Sequence, residues 1–317
     1  MFAAKTFRIL VLATAFCVPK LICEATFPER PIKIIVPTNA GGSVDTVART
    51  IARSIEENDL LPVKMVALNL PGAGGTIGTR KVKSSPPDGY TIGIWHLGLV
   101  TSKAMNIVDY DHTAFDLIGS TGFAEIGIGT GPKSKAQSFQ QMTEVSKSEP
   151  LNFATNIGLP VHIIPMIYAN EAGLNFKFVQ TGGASQRLAS VLGGHTDLGI
   201  FSIPEFINYQ KTGIRPVVLL TKERKEAFPN VPTALEQQID LNINTYYLWI
   251  LPKGAPEKIK KVFANTLKIA SEHPSVVEQF EGMGMVSEFR EGQELEGIMS
   301  DILKRSAPLV AQMGSTR

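Results

Sequence analysis

Short runs of β-branched and aliphatic residues alternate along this chain with amphipathic helical stretches, and glycine-rich turns join them. That alternation restricts the fold to α/β layers with mainly parallel strands. Ile32-Lys33-Ile34-Ile35-Val36 reads as a buried strand ending at Pro37. Val44, Val47, Ala48, Ile51, Ala52 and Ile55 then recur at the spacing of one helical face. Between strand and helix lies Thr38-Asn39-Ala40-Gly41-Gly42-Ser43. Its glycines permit close backbone approach, and the helix start offers N–H groups with no intrahelical partner. Free donors and helix dipole converge at such a turn, which favours a carboxylate or phosphate.

The same unit recurs. Residues 63–69 read as a second strand, followed by Pro71-Gly72-Ala73-Gly74-Gly75-Thr76-Ile77-Gly78 and a helix through Val82. A dinucleotide fingerprint starting at Gly72 would need glycine where Ile77 stands, and no Gly-Lys-Ser/Thr follows, so the turn reads as helix-to-sheet packing. Residues 90–95 form a third strand whose end presents Trp95 and His96. The pattern restarts near Gly131-Pro132 with a helix over 138–147, a strand over 151–155 ending at Thr155, and the turn Asn156-Ile157-Gly158-Leu159-Pro160. Pro165 in the next helical run costs about 3 kcal/mol in an unkinked helix, so a kink or a late start is expected. A strand over 176–180 then leads through Thr181-Gly182-Gly183-Ala184-Ser185 into a helix carrying Leu188, Val191 and Leu192. Three strand-to-helix loops of small and polar residues suit a cleft for a small anion.

Residues 1–25 stand apart. Lys5 and Arg8 precede a ten-residue apolar run over 9–18, and a short stretch ends at Ala25, the layout of a secretory signal peptide. The run is too short for the ~20 residues of a membrane span. Neither Cys17 nor Cys23 follows a small residue, which argues against lipidation. Of 31 basic and 29 acidic residues the leader takes three and one, so 28 of each remain and no footprint for nucleic acid or anionic lipid is left. Both cysteines leave with it, and with them any disulfide, thiol nucleophile or thiolate metal site. The exported chain is expected to begin near Thr26 as a monomer in the bacterial periplasm.

A set of ordered strings carries a more specific reading. Pro31-Ile32-Lys33-Ile34-Ile35-Val36-Pro37, Gly41-Gly42-Ser43-Val44-Asp45, Asn69-Leu70-Pro71-Gly72-Ala73-Gly74-Gly75 and Pro86-Pro87-Asp88-Gly89-Tyr90-Thr91 open the series. Leu192-Gly193-Gly194-His195-Thr196-Asp197-Leu198, Pro229-Asn230-Val231-Pro232-Thr233 and Leu251-Pro252-Lys253-Gly254-Ala255-Pro256 follow in order. Over 27–317 the chain resembles the extracytoplasmic solute receptors of tripartite tricarboxylate transporters, the Bug-type proteins. The resemblance implies a two-lobe, type II periplasmic-binding-protein fold with mixed, mainly parallel sheets and an interlobe cleft. It implies one lobe from 26–128 plus 240–317 and another from 129–239, a small carboxylated solute, membrane permease subunits as partners, and no cofactor. Loop backbone, hydroxyls and water supply the grip in such receptors. A ligand sensor docking to a signalling membrane protein and an enzyme on the same fold are the alternatives; for the enzyme there is no His-Glu-x-x-His or Gly-x-Ser-x-Gly.

The chain departs from the family at its loops: Asn39-Ala40 stands for Pro-Pro, Trp95-His96-Leu97 for small polar residues, and Thr181-Gly182-Gly183 for Tyr-Lys-Gly. The expected pocket is lined by Thr38, Asn39, Ala40, Gly41, Gly42, Ser43, Asp45, Trp95, His96, Thr155, Asn156, Thr181, Gly182, Gly183, Ala184 and Ser185. Asp45 in the first helical turn relieves free N–H groups and either orders the loop or touches the solute. His96 donates to a carboxylate, stacks with an aromatic, or simply packs; His162 and His195 read as structural. Tyr246-Tyr247 resembles the twin tyrosines of ferric-ion receptors but falls where the family has its buried return strand, so no metal site is assigned. These loops hold no cation, Arg187 lying just beyond the last of them. Dipoles and hydroxyls then hold one carboxylate well and three poorly. With Trp95 as a stacking face, the expected solute has one or two carboxylates and an apolar or aromatic body, in preference to citrate.

Overall fold

The computed structural model describes residues 27–315; the leader, its cleavage near Thr26 and both cysteines lie outside the described residues. The chain opens with β1 (Ile32–Val36), α1 (Ser43–Glu57), β2 (Met65–Asn69), α2 (Thr76–Lys83), β3 (Thr91–Trp95) and α3 (Gly98–Ala104). All of β1 but Lys33 is buried, as expected for a parallel strand covered on both faces. It pairs in parallel with β2 on one side and β3 on the other. The apolar stripe of α1 is buried, and the Ser54 hydroxyl donates to the Ala270 carbonyl, fixing α1 to a later helix.

β4 (Phe115–Thr130) is a 16-residue strand that serves two sheets. It is followed by α4 (Phe139–Ser148), β5 (Leu151–Thr155), α5 (Pro160–Ala172), β6 (Phe176–Gln180), α6 (Ala184–Gly193), β7 (Leu198–Ser202), α7 (Ile203–Tyr209) and β8 (Arg215–Leu219). The chain ends with β9 (Asn244–Pro252), α8 (Glu257–Glu272), α9 (Pro274–Gly282), β10 (Arg290–Glu291) and α10 (Gly292–Ser315). Up to Glu125, β4 pairs antiparallel with β9, which itself runs antiparallel to β3; from Ile126 onward β4 pairs with β7 and β8. β5 then joins β7 to β6 in parallel. Each side of the molecule therefore has a parallel βα core, and antiparallel strands join the two. The register of β4 against β9 shifts near Ser120, where the buried Trp249 indole donates to Thr121 Oγ1 at 2.9 Å. That bond pins the two crossing strands to each other.

Local chemistry explains the small differences from the sequence reading. The helix expected over 138–147 starts at Phe139 because Ser138 caps it, its hydroxyl accepting from the Gln141 N–H. α5 starts five residues before Pro165 and runs through it. Proline leaves the Val161 carbonyl without its helical donor, and Thr155 Oγ1 donates to that carbonyl at 2.7 Å.

Candidate functional site

A cavity of about 390 Å³ lies where the crossing strands pass between the two sheets, within the range that holds small ligands. Ala124 and Ile126 of β4 and Thr245 and Tyr247 of β9 line it together with Ser43, the first residue of α1. Opposite these stand Val161 of α5, Ala184 and Arg187 of α6, and Ser202 and Glu205 around the start of α7. Ile200, Phe201, Met283 and Met285 add apolar surface. α1 and α6 both enter the cavity wall through glycine N-caps, Gly42 and Gly183, with no side-chain cap. Their first N–H groups and dipole ends are left for an anion. Burial raises the Tyr247 phenol above its ordinary range, with the Ser43 side chain opposing.

Within the first loop, Asn39, Ala40, Gly41 and Gly42 run over exposed backbone into Ser43, and Thr38 Oγ1 is buried without a partner. Asp45 orders this loop. Its carboxylate accepts from the Gly41 N–H at 2.9 Å, from Asn69 Nδ2 at 2.8 Å and from Arg49 Nε at 3.0 Å. Gly41 has φ +83°, a conformation that suits glycine and brings its N–H onto Asp45. Burial alone would raise the carboxyl, but the bonds from Arg49, Gly41 and Asn69 outweigh it and hold the pKa below 3.8. These bonds tie the loop to α1 and to the end of β2.

Trp95 is 4% exposed, with His96 stacked on it at 3.9 Å between centroids. Its other contacts explain two glycines: a Cβ on Gly75 would come within 2.2 Å of the indole, and one on Gly98 within 2.5 Å. The ring face that the sequence reading offers to an aromatic solute is thus covered by His96. His96 Nδ1 accepts from the Gly98 N–H at 2.9 Å, which assigns its proton to Nε2, and burial pushes its pKa down to about 4. Neither residue lines the 390 Å³ cavity.

The second-side loops are braced by each other. Thr155 is fully buried, its hydroxyl used by Val161 and its carbonyl accepting from the Thr181 N–H and hydroxyl. Gln180 clasps the Asn156 turn, donating to Asn156 Oδ1 at 2.8 Å and accepting from the Ile157 N–H at 2.7 Å. Gly182, at φ +100°, and Gly183 bring the chain to Ala184 on the cavity wall, while Ser185 is exposed and does not line it. Of the expected positions, the structure brings Ser43 and Ala184 to the cavity; the others support those two or pack elsewhere.

Sequence reasoning set Arg187 aside because it follows the last loop. Side chains of a first helical turn lean back toward the helix N-terminus, and this one reaches the cavity. It is 8% exposed, its Nε has no hydrogen-bond partner, and its guanidinium carbon lies 5.6 Å from the Phe201 ring centroid. Burial pushes its pKa down, with Glu205 opposing. Glu205 was also missed, although Ser202-x-x-Glu205 is a capping box: Ser202 N–H and hydroxyl both donate to Glu205 Oε2. A cavity with one buried cation, two open helix starts and apolar walls can hold a small organic anion.

Comparison with known proteins follows the same lines. A profile described as "Tripartite tricarboxylate transporter family receptor" matches residues 47–315. The chain is 27% identical over 303 residues to protein BugT of Bordetella pertussis, covering 92% of this chain and 91% of that protein. A TctC solute binding protein from Polaromonas superposes with TM-score 0.77 at 24% identity, covering 90% of this chain and 100% of the other. Rpa4515 of R. palustris, solved with adipate, superposes with TM-score 0.74 at 21% identity over 90% and 97% of the two chains. The fold shared with these is the periplasmic-binding-protein fold.

Proposed function

The chain belongs to the tripartite tricarboxylate transporter family receptors, and from that membership we propose that it captures a small carboxylate-bearing solute between two lobes and delivers it to the permease subunits of a tripartite membrane transporter. It is a substrate-binding receptor and not an enzyme. The lobes in this reading are 26–128 with 240–317, and 129–239, joined where the chain crosses through β4 and into β9. The periplasm is the compartment proposed, with the mature chain monomeric. No helix among the described residues is long and apolar enough to cross a membrane.

The observation that carries the proposal is the buried Arg187, whose Nε has no hydrogen-bond partner, beside two uncapped helix starts in a cavity between the sheets. Burying a charge is costly unless a counter-ion meets it, and a solute carboxylate supplies one. The adipate held by an R. palustris protein of the same fold is of the chemical class proposed. Three carboxylates would bring more charge than one cation and two dipoles can offset.

Titration calorimetry with hexanoate, adipate and citrate, on the native chain and on Gly42→Trp, tests this. A Cβ on Gly42 meets nothing nearer than 3.6 Å and its φ is −77°, so the variant folds while its ring crowds the α1 start. The expected result is binding of hexanoate or adipate by the native chain, and its loss in the variant at an unchanged melting temperature. Tight citrate binding with neither of the others, or undiminished affinity in Gly42→Trp, would overturn the reading.

A further inference from the structure

Four other arginines, Arg49, Arg224, Arg290 and Arg305, each hold a carboxylate of their own chain. Arg187 is more buried than any of these and holds none. A fold that needed only a spacer there would be better served by an apolar side chain, since an unpaired buried charge is destabilising. Its stem packs beside Gly199, where a Cβ would lie 3.4 Å from the arginine Cγ, and the guanidinium lies near the Phe201 ring. The group is thus held in place before any solute arrives.

The remaining lining shows what the rest of the solute must be. Ile126, Val161, Ile200, Phe201, Met283 and Met285 present apolar surface, with no lysine and no second arginine among the lining residues. The other charged side chain there is Glu205, an anion close enough for its field to act on Arg187 yet not ion-paired with it. One of its oxygens is engaged in the α7 cap, which fixes its position. A second carboxylate on the solute would meet this charge and an apolar wall.

Resting on the receptor reading above, we propose that Arg187 is the specificity-determining residue of the cavity, pairing with the single carboxylate of a solute whose remaining body is apolar, and that Glu205 excludes a second carboxylate. The pair is charge-assisted and buried, so it discriminates strongly between a carboxylate and its neutral amide. The apolar body fills the space beneath it and supplies affinity without further polar contacts.

Calorimetry of the full mature chain with hexanoate, hexanamide and adipate, three probes of equal chain length, separates the claims. Native protein is expected to bind hexanoate, to bind adipate about tenfold more weakly, and to give no heat with hexanamide. Arg187→Met weakens hexanoate about 100-fold, the usual scale for deleting one partner of a buried charged pair. The unliganded melting temperature of that variant stays level or rises, because the unpaired charge is gone. Glu205→Gln retains the capping geometry and brings adipate to within a few-fold of hexanoate. Hexanoate affinity within threefold of native in Arg187→Met overturns the role of Arg187 and leaves the receptor reading standing, as does native adipate binding tighter than hexanoate for the role of Glu205. Absence of binding by the native chain to either acid overturns both readings.

Discussion

Two strand-to-helix junctions of this protein are built from similar sequence, residues 38–45 and residues 181–187, and treat charge in opposite ways. At the first, Asp45 is buried and every bond it makes is internal: Gly41, Asn69 and Arg49 converge on one carboxylate. At the second, Arg187 is buried and its Nε has no protein partner. Both helices begin at an uncapped glycine, and both starts reach the same cavity. A satisfied charge makes a loop rigid, whereas an unsatisfied one stores an interaction for a ligand. Under the proposed reading Asp45 serves the scaffold, and Arg187 serves recognition.

The sharpest way to break this contrast is to delete each charge in turn. Asp45→Ala removes the acceptor for three donors and should cost about 2–3 kcal/mol of stability, read from denaturant unfolding. Arg187→Met should cost none in the unliganded chain while losing the ligand. If Asp45→Ala folds as stably as the native chain, the first junction is not held by its carboxylate, and the contrast with the second fails.

Acid acts on both sides. His96 at the end of β3 and His162 in α5 both have pKa values pushed from 6.5 to about 4 by burial. Their neutral forms are favoured in the folded chain, so above pH 6.5 they do not affect stability. As pH falls from 6.5 toward 4 the unfolded chain takes up protons the folded one refuses, and stability drops. Asp45 acts in the next window: its lowered pKa supports the fold above about 3.8 and that support is lost as pH falls further. Unfolding free energy is expected to be flat above pH 6.5 with respect to these histidines and to decline below it. His162→Gln should remove part of that slope whatever it does to absolute stability. An unchanged slope in that variant would show that His162 is not held neutral.

Much of the βα framework was readable because burial on both faces writes itself as apolar runs, as in β1, and burial on one face as a 3.6-residue stripe, as in α1. β4 was not readable. Gly119, Gly122, Gly127 and Gly129 punctuate it, and each is there for close packing: a Cβ on Gly129 would come within 2.2 Å of Phe206, and one on Gly119 within 2.5 Å of the Arg290 carbonyl. Residues that allow two layers to meet look locally like turns. The cavity lining was legible at Ser43 and Ala184 and illegible at Arg187, Glu205 and Tyr247. Arg187 and Glu205 come from two helices flanking β7, and Tyr247 from β9, which the crossing of β4 and β9 brings to the same cavity. Trp95 was conspicuous for its chemistry; the structure packs it with Gly75 against one edge and His96 on its face, off the cavity lining.

The smallest expected effect concerns Thr155, which the sequence places among the ligand contacts and the structure places beneath α5. Its hydroxyl donates to the Val161 carbonyl, the acceptor that Pro165 leaves without a helical donor. Thr155→Val keeps the shape and removes that donor, so a half-buried carbonyl loses its partner at a cost of about 1–2 kcal/mol. Val161 also lines the cavity, so a change in α5 could reach the solute through it. The carbonyl points to Thr155, however, and the side chain rather than the carbonyl offers apolar surface to a ligand. Hexanoate affinity should therefore change less than threefold while the denaturation midpoint falls. Loss of affinity tenfold or more at unchanged stability would return Thr155 to the binding residues and give the second side a direct hydroxyl contact beside Arg187.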